Sequence, residues 1–210
     1  MKALHLTDGH FRKNWFRWIE DACPSYDVLF LTGDLLDFRS REAGVKEQAK
    51  FVSKWLRRLR VPTVVATGNH DGLPHSGILW LRSLQSEKLW IDSPPNINLG
   101  VKIQALGWGQ TVPTVNAEIL LSHAPPAECD AARDRDGIDH GSFDLRCALE
   151  SSGGRPWLML CGHVHQPTRY SSILGVTRVV NSSANENEGV IRHTVIKIRE
   201  KKIETRTAAI

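Results

Sequence analysis

The chain has 210 residues, 41% of them hydrophobic and 24% charged, which suits one globular domain spanning residues 1–210. It has no apolar run long enough to cross a bilayer and no signal-peptide pattern, so we expect a cytoplasmic protein without a membrane partner. The net charge of +4 is compatible with an acidic substrate but too small to require nucleic acid, and the four cysteines show no C-x-x-C spacing, which favours free thiols. Composition leaves the oligomeric state open.

The first half of the chain alternates short apolar runs with helical stripes. The runs predict strands over residues 3–6, 27–31 and 61–66. Apolar residues at helical spacing predict helices over residues 15–22, 40–60 and 78–89. Near-continuous apolar strands separated by helices are typical of an α/β protein with a mainly parallel core, and Pro94-Pro95 marks a break after this region.

The second half of the chain predicts a second sheet. Residues 98–108 suit a hairpin, and further core strands are predicted over residues 117–121 and 156–160. The charged segment 128–140 predicts an exposed loop, and Ser142 can cap a helix that runs to about residue 149. Late segments rich in Val, Ile and Thr predict antiparallel strands with one wet face, over residues 176–180, 189–199 and 202–207.

Five predicted strands end in turns that carry possible metal ligands. These residues are Asp8 and His10, Asp34, Asn69 and His70, His123, and His163 with His165. Ligands of open α/β sheets bind outside the carboxyl ends of the strands, so we expect the turns to converge. Two carboxylates, one amide oxygen and four of these five imidazoles could hold two divalent cations if one carboxylate bridges them. Such mixed ligation suits Mn, Fe, Zn, Co or Ni better than Ca or Mg alone. Two such cations about 4 Å apart would clamp a phosphate.

The order of these turns resembles the calcineurin-like metallophosphoesterase superfamily. The family carries D-x-H, G-D-x-x-D, G-N-H-[DE], a lone His after a strand, and G-H-x-H. Here these motifs are Asp8-Gly9-His10, Gly33-Asp34-Leu35-Leu36-Asp37, Gly68-Asn69-His70-Asp71, His123 and Gly162-His163-Val164-His165. The resemblance covers residues 3 to about 184. It implies a four-layer αββα sandwich, two mixed β-sheets flanked by helices, with the active site at the carboxyl ends of the core strands.

The resemblance also implies a ligand set for two divalent metal ions, with manganese first and iron, zinc, nickel, cobalt or magnesium as alternatives. One ion would be bound by Asp8, His10 and His165, and the other by Asn69, His123 and His163. Asp34 would bridge them, together with a water that becomes the attacking hydroxide in an in-line displacement at phosphorus.

The resemblance makes His70 and Asp71 the expected catalytic residues. His70 would lie beside the phosphate, neutralising charge or protonating the leaving oxygen, and Asp71 would orient its ring. Asp37 is expected to support its turn or orient a ligand. The protein Ser/Thr phosphatase branch of the family carries Arg and Glu at the positions of Phe38 and Asp71. This difference favours a resemblance to the compact bacterial phosphodiesterase-type members, including the cyclic-nucleotide and nuclease branches.

The expected function is a dinuclear metal-dependent phosphoesterase that prefers diesters, with a small-molecule or nucleotide ester as substrate. One alternative is a metal-dependent nuclease, which would need a basic groove and exposed aromatic side chains that the sequence does not reveal. Another alternative is a non-catalytic scaffold of the same fold, which is disfavoured because His70 and every ligand are present.

The remaining candidates have structural interpretations. His5 is expected to pack inside its strand, His75 to lie in a surface loop, and His140 and His193 to face solvent. Solvated roles are expected for Arg12 and Arg39. The seven tryptophans are expected to be core residues, and residues 181–184 are interpreted as structural.

Overall fold

The computed structural model describes residues 1–40, 43–93, 97–112, 114–153, 155–183 and 189–209. These residues form twelve strands, four α-helices and one short 3-10 helix, Cys23–Ser25. The strands are β1 (Lys2–Leu6), β2 (Val28–Leu31), β3 (Thr63–Val65), β4 (Leu89–Ile91), β5 (Ile97–Asn98), β6 (Lys102–Leu106), β7 (Ile119–Ser122), β8 (Leu158–Cys161), β9 (Ser171–Leu174), β10 (Thr177–Asn181), β11 (Val190–Lys197) and β12 (Lys202–Ala209). The helices are α1 (Lys13–Ala22), α2 (Val45–Arg58), α3 (Leu79–Arg82) and α4 (Phe143–Glu150).

The strands form two mixed sheets of six strands each. The first sheet has the order β12-β11-β1-β2-β3-β4, with β1 to β4 parallel and the last two strands of the chain antiparallel. The second sheet has the order β5-β6-β7-β8-β10-β9, with β6, β7, β8 and β10 parallel and an antiparallel strand at each edge. The predicted parallel core is therefore confirmed, but it is divided between two sheets.

Three apolar clusters separate four layers of secondary structure. One cluster fills the space between the sheets, where Phe30 and Val64 of the first sheet face Leu160 of the second. A second cluster joins α1 and α2 to the outer face of the first sheet through Trp15 and Trp55, both almost fully buried. The third places α4 on the outer face of the second sheet. Each fully buried large apolar side chain contributes about 1.5–3 kcal/mol to the free energy of folding. The four layers confirm the predicted αββα sandwich.

Helix α2 begins later than the predicted residue 40. The backbone of Gly44 is extended at the amino-terminal end of the helix, and the Gly44 N–H donates to the Glu47 carboxylate at 3.2 Å. This contact satisfies a backbone donor that the helix itself leaves unpaired. At α4 the predicted cap is confirmed, because the Ser142 hydroxyl accepts a hydrogen bond from the Leu145 N–H at 3.2 Å.

The helix predicted over residues 78–89 is wrong beyond its first turn. Only Leu79–Arg82 is helical, and Leu89–Ile91 forms β4, which pairs in parallel with β3. The helical periodicity reflected the burial of Leu81, Leu84 and Leu89, but the last of these is buried from a strand. The predicted break at Pro94-Pro95 lies outside the described residues.

Strand β9 was not predicted, because its four residues alternate between exposed and half-buried positions and include Ile173 at 63% exposure. The late segment over residues 176–180 was expected to be purely antiparallel, but β10 pairs in parallel with β8. This pairing places the end of β10 at the same edge of the sheet as the end of β8.

Two exposure predictions are wrong. His193 is only 6% exposed, because its ring packs against Trp18 of α1 with the ring centroids 4.7 Å apart. The charged segment 128–140 is a loop as predicted, but Ala131 and Ala132 within it are fully buried in the cluster beneath α4. His5, His75 and His140 lie as expected, the first buried and the other two exposed. None of the helices in the described part of the chain is long and apolar enough to span a membrane.

Candidate metal centre

The five predicted ligand turns meet at one end of the sandwich. Three of them follow the parallel strands β1, β2 and β3 of the first sheet, and two follow β7 and β8 of the second. Because parallel strands direct their carboxyl ends to the same edge, the turns of both sheets face one hollow. The seven predicted ligands lie within this cluster: Asp8, His10, Asp34, Asn69, His123, His163 and His165.

One group of donor atoms is built from the turns after β1, β2 and β8. The His165 Nε2 atom lies 3.2 Å from Asp8 Oδ1 and 3.1 Å from His10 Nε2. The His10 Nε2 atom is 3.8 Å from Asp8 Oδ1 and 3.8 Å from Asp34 Oδ2. Four side chains from three distant segments therefore present donor atoms to a common point.

A second group of donor atoms surrounds Asn69. Its side-chain oxygen lies 3.0 Å from His123 Nε2 and 3.1 Å from His163 Nδ1. The His123 Nε2 atom is also 3.2 Å from Asp34 Oδ2. The same Asp34 oxygen thus approaches both groups, as the bridging assignment requires.

The spacing of these donors fits divalent cations. Imidazole nitrogens and carboxylate oxygens bind such ions at about 2.0–2.2 Å, which places ligand atoms of one ion roughly 3–4 Å apart. The distances of 3.0–3.8 Å within the two groups lie in that range. Neutral imidazole, carboxylate and amide oxygen together suit borderline first-row metals.

The backbone of the ligand turns is strained. Positive φ angles of 54°, 40°, 54° and 71° occur at Asp8, His10, Asp34 and His163. Such conformations cost on the order of 1 kcal/mol or more each and persist where the surroundings impose them. Glycine is required beside two of these residues, because a Cβ at Gly68 would overlap the Asp34 carboxylate and one at Gly162 would overlap the Asp8 carboxylate. The turns therefore pack too closely for a side chain at either glycine.

Backbone and hydroxyl groups orient the ligands from behind. The His123 Nδ1–H donates to the Thr32 carbonyl at 2.6 Å, which leaves Nε2 free to bind a cation. The Ser183 hydroxyl donates to Asp8 Oδ2 at 2.6 Å. The Asn181 side-chain amide donates to the carbonyls of Gly162 and Val164 at 3.1 and 3.0 Å, which fixes the turn of the last two ligands.

Asn181 and Ser183 therefore belong to the site, although the sequence suggested only a structural role for the stretch 181–184, whose last residue lies outside the described ranges. Their position follows from the parallel pairing of β10 with β8, which brings the end of β10 beside the turn that carries His163 and His165. Arg12 is likewise more than a solvated side chain, because its guanidinium donates to the Gly9 carbonyl at 3.3 Å and the Asp8 carbonyl at 3.1 Å.

The electrostatics of the cluster are balanced internally. Burial disfavours charge on Asp8 and Asp34, but hydrogen bonds from imidazoles and the charge of His123 outweigh it and lower the pKa of both carboxyls. Burial also opposes charge on His123, yet the Asp34 carboxylate raises the pKa of His123 to about 9. Burial and the neighbouring His123 lower the pKa of His163 to about 4. A positive charge thus lies where cations would bind.

His70 lies at the edge of the cluster, but the expected contact with Asp71 is absent. The Asp71 carboxylate is fully buried and accepts backbone hydrogen bonds from Asp34, Leu35, Leu36 and Gly68. It therefore fixes two ligand turns and does not orient the His70 ring. Asp37 is the carboxylate close to that ring, since donor atoms of His10, Asp37 and His70 lie within 4.8 Å of one another.

The surroundings of His70 favour a neutral ring in the free protein. Burial is the largest influence and lowers the pKa of His70, while the carboxylates of Asp34 and Asp37 oppose this shift. The His70 backbone N–H donates to Asp34 Oδ1 at 2.8 Å, which ties the residue to the shared carboxylate. Phe38 stacks on the imidazole with the ring centroids 5.5 Å apart.

The ligands face a hollow of about 510 Å³. Its lining outside the predicted ligands includes Asp37, Arg39, His70, Asp134 and His140. Arg39 and His140 were expected to be solvated; both are exposed, but they also contribute to the wall of the hollow. Asp134 lies in the charged loop and accepts a hydrogen bond from the His140 ring at 2.8 Å, so the loop reaches the site.

Trp108 departs from the expectation that the tryptophans are core residues. Its side chain is 42% exposed, and its ring lies 5.1 Å from that of His163 and 5.7 Å from that of His123. The sequence holds no signal for this position, because Trp108 follows an apolar strand as a core residue would.

Comparison with known proteins agrees with this geometry. The family model described as calcineurin-like phosphoesterase matches residues 1–167. The DNA double-strand break repair protein Mre11 of Saccharolobus solfataricus is 25% identical over 141 residues, which is 58% of this chain and 36% of that protein. The chain therefore matches little more than a third of the length of this relative.

Solved structures share the fold. The structure of TT1561 of Thermus thermophilus superposes with a TM-score of 0.67 at 16% identity, covering 98% of this chain and 97% of that one. The structure of an archaeal phosphodiesterase superposes with a TM-score of 0.60 at 15% identity, covering 99% of this chain and all of the other. At these identities the likeness concerns the architecture alone.

Proposed function

We propose, from the premise that this chain belongs to the calcineurin-like phosphoesterase family and is a hydrolase of phosphate esters, that it uses two divalent cations and prefers diesters. The observation that carries the proposal is the shared position of Asp34, whose Oδ2 atom lies 3.8 Å from a nitrogen of one donor group and 3.2 Å from a nitrogen of the other. A carboxylate between two sets of imidazoles is the arrangement that a pair of cations requires.

The residues of each set have distinct tasks. Asp8, His10 and His165 would hold one cation, while Asn69, His123 and His163 would hold the other. The bound cations would supply charge neutralisation to the phosphate and lower the pKa of a water molecule. Manganese is the ion for which we expect the highest activity, with iron, zinc, nickel, cobalt and magnesium as the series to compare.

His70 would act on the leaving oxygen. Its ring lines the hollow and is not among the seven ligands, so it remains available to donate a hydrogen bond or a proton to the departing group. Burial lowers the pKa of His70, and the carboxylates of Asp34 and, more weakly, Asp37 oppose this shift. Asp71 would act as a positioning residue through the backbone N–H groups that its carboxylate accepts.

The charge of the hollow supports a preference for diesters. Among the described residues that line it, Arg39 is the one fixed cation, and it shares the lining with the carboxylates of Asp37 and Asp134. A phosphate monoester is a dianion near neutral pH and would need more positive charge than a diester, which carries a single negative charge. The open hollow also leaves room for a second ester group.

The experiment is a comparison of two chromogenic substrates with purified protein that has been stripped of metal and reloaded with each cation. We expect hydrolysis of bis(p-nitrophenyl) phosphate to exceed that of p-nitrophenyl phosphate in kcat/KM, and both to disappear in the stripped protein. Faster hydrolysis of the monoester would contradict the diester preference. Turnover that is unchanged by stripping would contradict the metal mechanism.

The likeness to Mre11 favours nucleic acid as the second candidate substrate. A nuclease would bind single-stranded DNA with an affinity that falls steeply with salt, because each phosphate contact releases counterions. Titration of labelled oligonucleotides between about 50 and 200 mM salt would distinguish the candidates. A loss of about 10³-fold or more in affinity over this range would favour the nuclease.

A further inference from the structure

A second groove lies beside the metal centre and contains Trp108. It has a volume of about 520 Å³ and is lined by residues 106–112, residues 140–142, Asp144 and Leu145, together with Ser122 and Ala124. We propose that this Trp108 groove binds a planar heteroaromatic group of one ester arm, so that nucleoside or aryl phosphodiesters are the preferred substrates. The inference rests on the proposed function of the metal centre and names the substrate class of that site.

The indole of Trp108 is placed between the ligands and the open groove. Its ring is 5.1 Å from the His163 ring at an interplanar angle of 46°, and 42% of the residue remains exposed. An indole combines a large apolar face with a polar N–H, which suits stacking on a planar ligand at the edge of a polar site. The exposed surface of the indole is therefore available to stack on a ligand whose phosphate occupies the metal centre.

The turn that carries Trp108 is held in place before any ligand binds. The Trp108 backbone N–H donates to the Thr67 carbonyl at 3.0 Å and to the Thr67 hydroxyl at 3.2 Å. Thr67 is in turn held by the Asp92 carboxylate, and the Gly107 N–H donates to the Gln110 side chain at 2.8 Å. Because Thr67 directly precedes the Gly68-Asn69-His70 turn, Trp108 is fixed relative to the ligands, and binding costs little ordering entropy.

The Trp108 groove adjoins the hollow of the metal centre. His140 lines both, and the Trp108 ring packs on two of the predicted ligands. A diester whose phosphate lies at the cations can therefore direct one arm into the groove. A monoester would have no second arm for the groove, which agrees with the proposed preference for diesters.

The polar groups of the groove select against a further phosphate. No Lys or Arg occurs among the described residues that line it, whereas Asp144 supplies a carboxylate, and Gln110 and Ser142 supply neutral polar groups. Nucleic-acid tracks combine stacking with cations along the backbone, and this groove has only the first element. The chemistry therefore fits a single uncharged heterocycle that donates hydrogen bonds, at the end of a short substrate.

The test compares two substrates that differ only in the base. These are the methyl ester of deoxyadenosine 5′-monophosphate and the methyl ester of the corresponding abasic deoxyribose 5-phosphate. Cleavage of each ester by manganese-loaded protein is measured by chromatography. Wild type should cleave the base-bearing ester with a kcat/KM about 10-fold or more above that of the abasic ester. Trp108→Leu should reduce this ratio to near one, and Trp108→Phe should retain part of it.

The matched control is Phe143→Leu. This variant also removes an exposed aromatic ring, and Phe143 lies between lining residues in the sequence but does not itself line the groove. This variant should keep the wild-type ratio. An unchanged ratio in Trp108→Leu would overturn the inference. An equal fall for both substrates, together with a loss of bound metal, would also overturn it and make Trp108 a wall of the metal centre.

A binding measurement separates the inference from the proposed function. Saturation-transfer NMR on chelator-treated protein should detect the adenine protons with wild type and lose them with Trp108→Leu. If neither ester is hydrolysed but the transfer depends on Trp108, the proposed function fails and the groove assignment holds. If hydrolysis occurs and the transfer does not depend on Trp108, the groove assignment is wrong.

Discussion

Replacing Ser183 by alanine should weaken metal binding without altering any ligand. The Ser183 hydroxyl donates to Asp8 Oδ2 at 2.6 Å, and both residues are fully buried. A buried hydrogen bond to a carboxylate contributes about 1.5–3 kcal/mol, which corresponds to roughly 10- to 150-fold in an equilibrium constant. Loss of such an outer contact commonly lowers metal affinity about 10- to 100-fold, so we expect Ser183→Ala to bind manganese that much more weakly in competition with a metallochromic chelator.

Ser182→Ala is the matched control for this experiment. The Ser182 hydroxyl is equally buried and bonds to His5 Nδ1 at 2.8 Å and Thr194 Oγ1 at 2.7 Å, and neither of these partners is a predicted ligand. Both variants should lower the free energy of unfolding by about 1–3 kcal/mol in urea titrations. Only Ser183→Ala should lose manganese affinity. Equal manganese affinity in both variants would refute the role assigned to Ser183.

Four further outcomes are expected. Asp34→Asn should abolish turnover and lower the manganese content measured by mass spectrometry below two ions per chain, and near-wild-type turnover would refute the bridging role. His70→Ala should lower kcat by about 10²–10⁴-fold with metal content unchanged, and loss of metal in this variant would make His70 a ligand. Asp37→Asn should shift the alkaline limb of the pH profile of kcat to lower pH, because His70 loses a carboxylate that raises its pKa. Burial lowers the pKa of His5 to about 3, against opposition from Asp8, so below its ordinary pKa of 6.5 the unfolded chain binds this proton and the native state does not. His5 should therefore contribute a fall of about 2 kcal/mol in the free energy of unfolding between pH 7 and pH 5, measured in urea titrations as the difference between wild type and His5→Gln, and an equal fall in both proteins would disprove this origin.

The sequence predicts the fold well where one segment carries its own pattern. The parallel strands are short apolar runs between turns, and α4 begins at a capping serine, so both are legible locally. Strand β4 is not predictable from its own segment, because the spacing of the buried Leu84 and Leu89 also fits a helical stripe. Its strand conformation depends on pairing with β3. Strand β9 has one exposed apolar residue, Ile173, and owes its existence to its partner β10.

The candidate site divides in the same way. The seven ligand residues are recognisable because each follows a strand within a short motif. The contact between Ser183 and Asp8 joins residues 175 positions apart and depends on how β10 enters the second sheet. The choice between Asp37 and Asp71 as the neighbour of His70 is also tertiary, because both aspartates lie close to ligands in the sequence and only the fold turns one of them toward backbone donors.

Anomalous diffraction from crystals grown with manganese tests the central claim most directly. Data collected near the manganese absorption edge should give two peaks about 3.5–4 Å apart, with Asp34 between them and three further ligands around each. Peaks scattered over the surface, or a single peak without Asp34 as a ligand, would contradict the dinuclear centre.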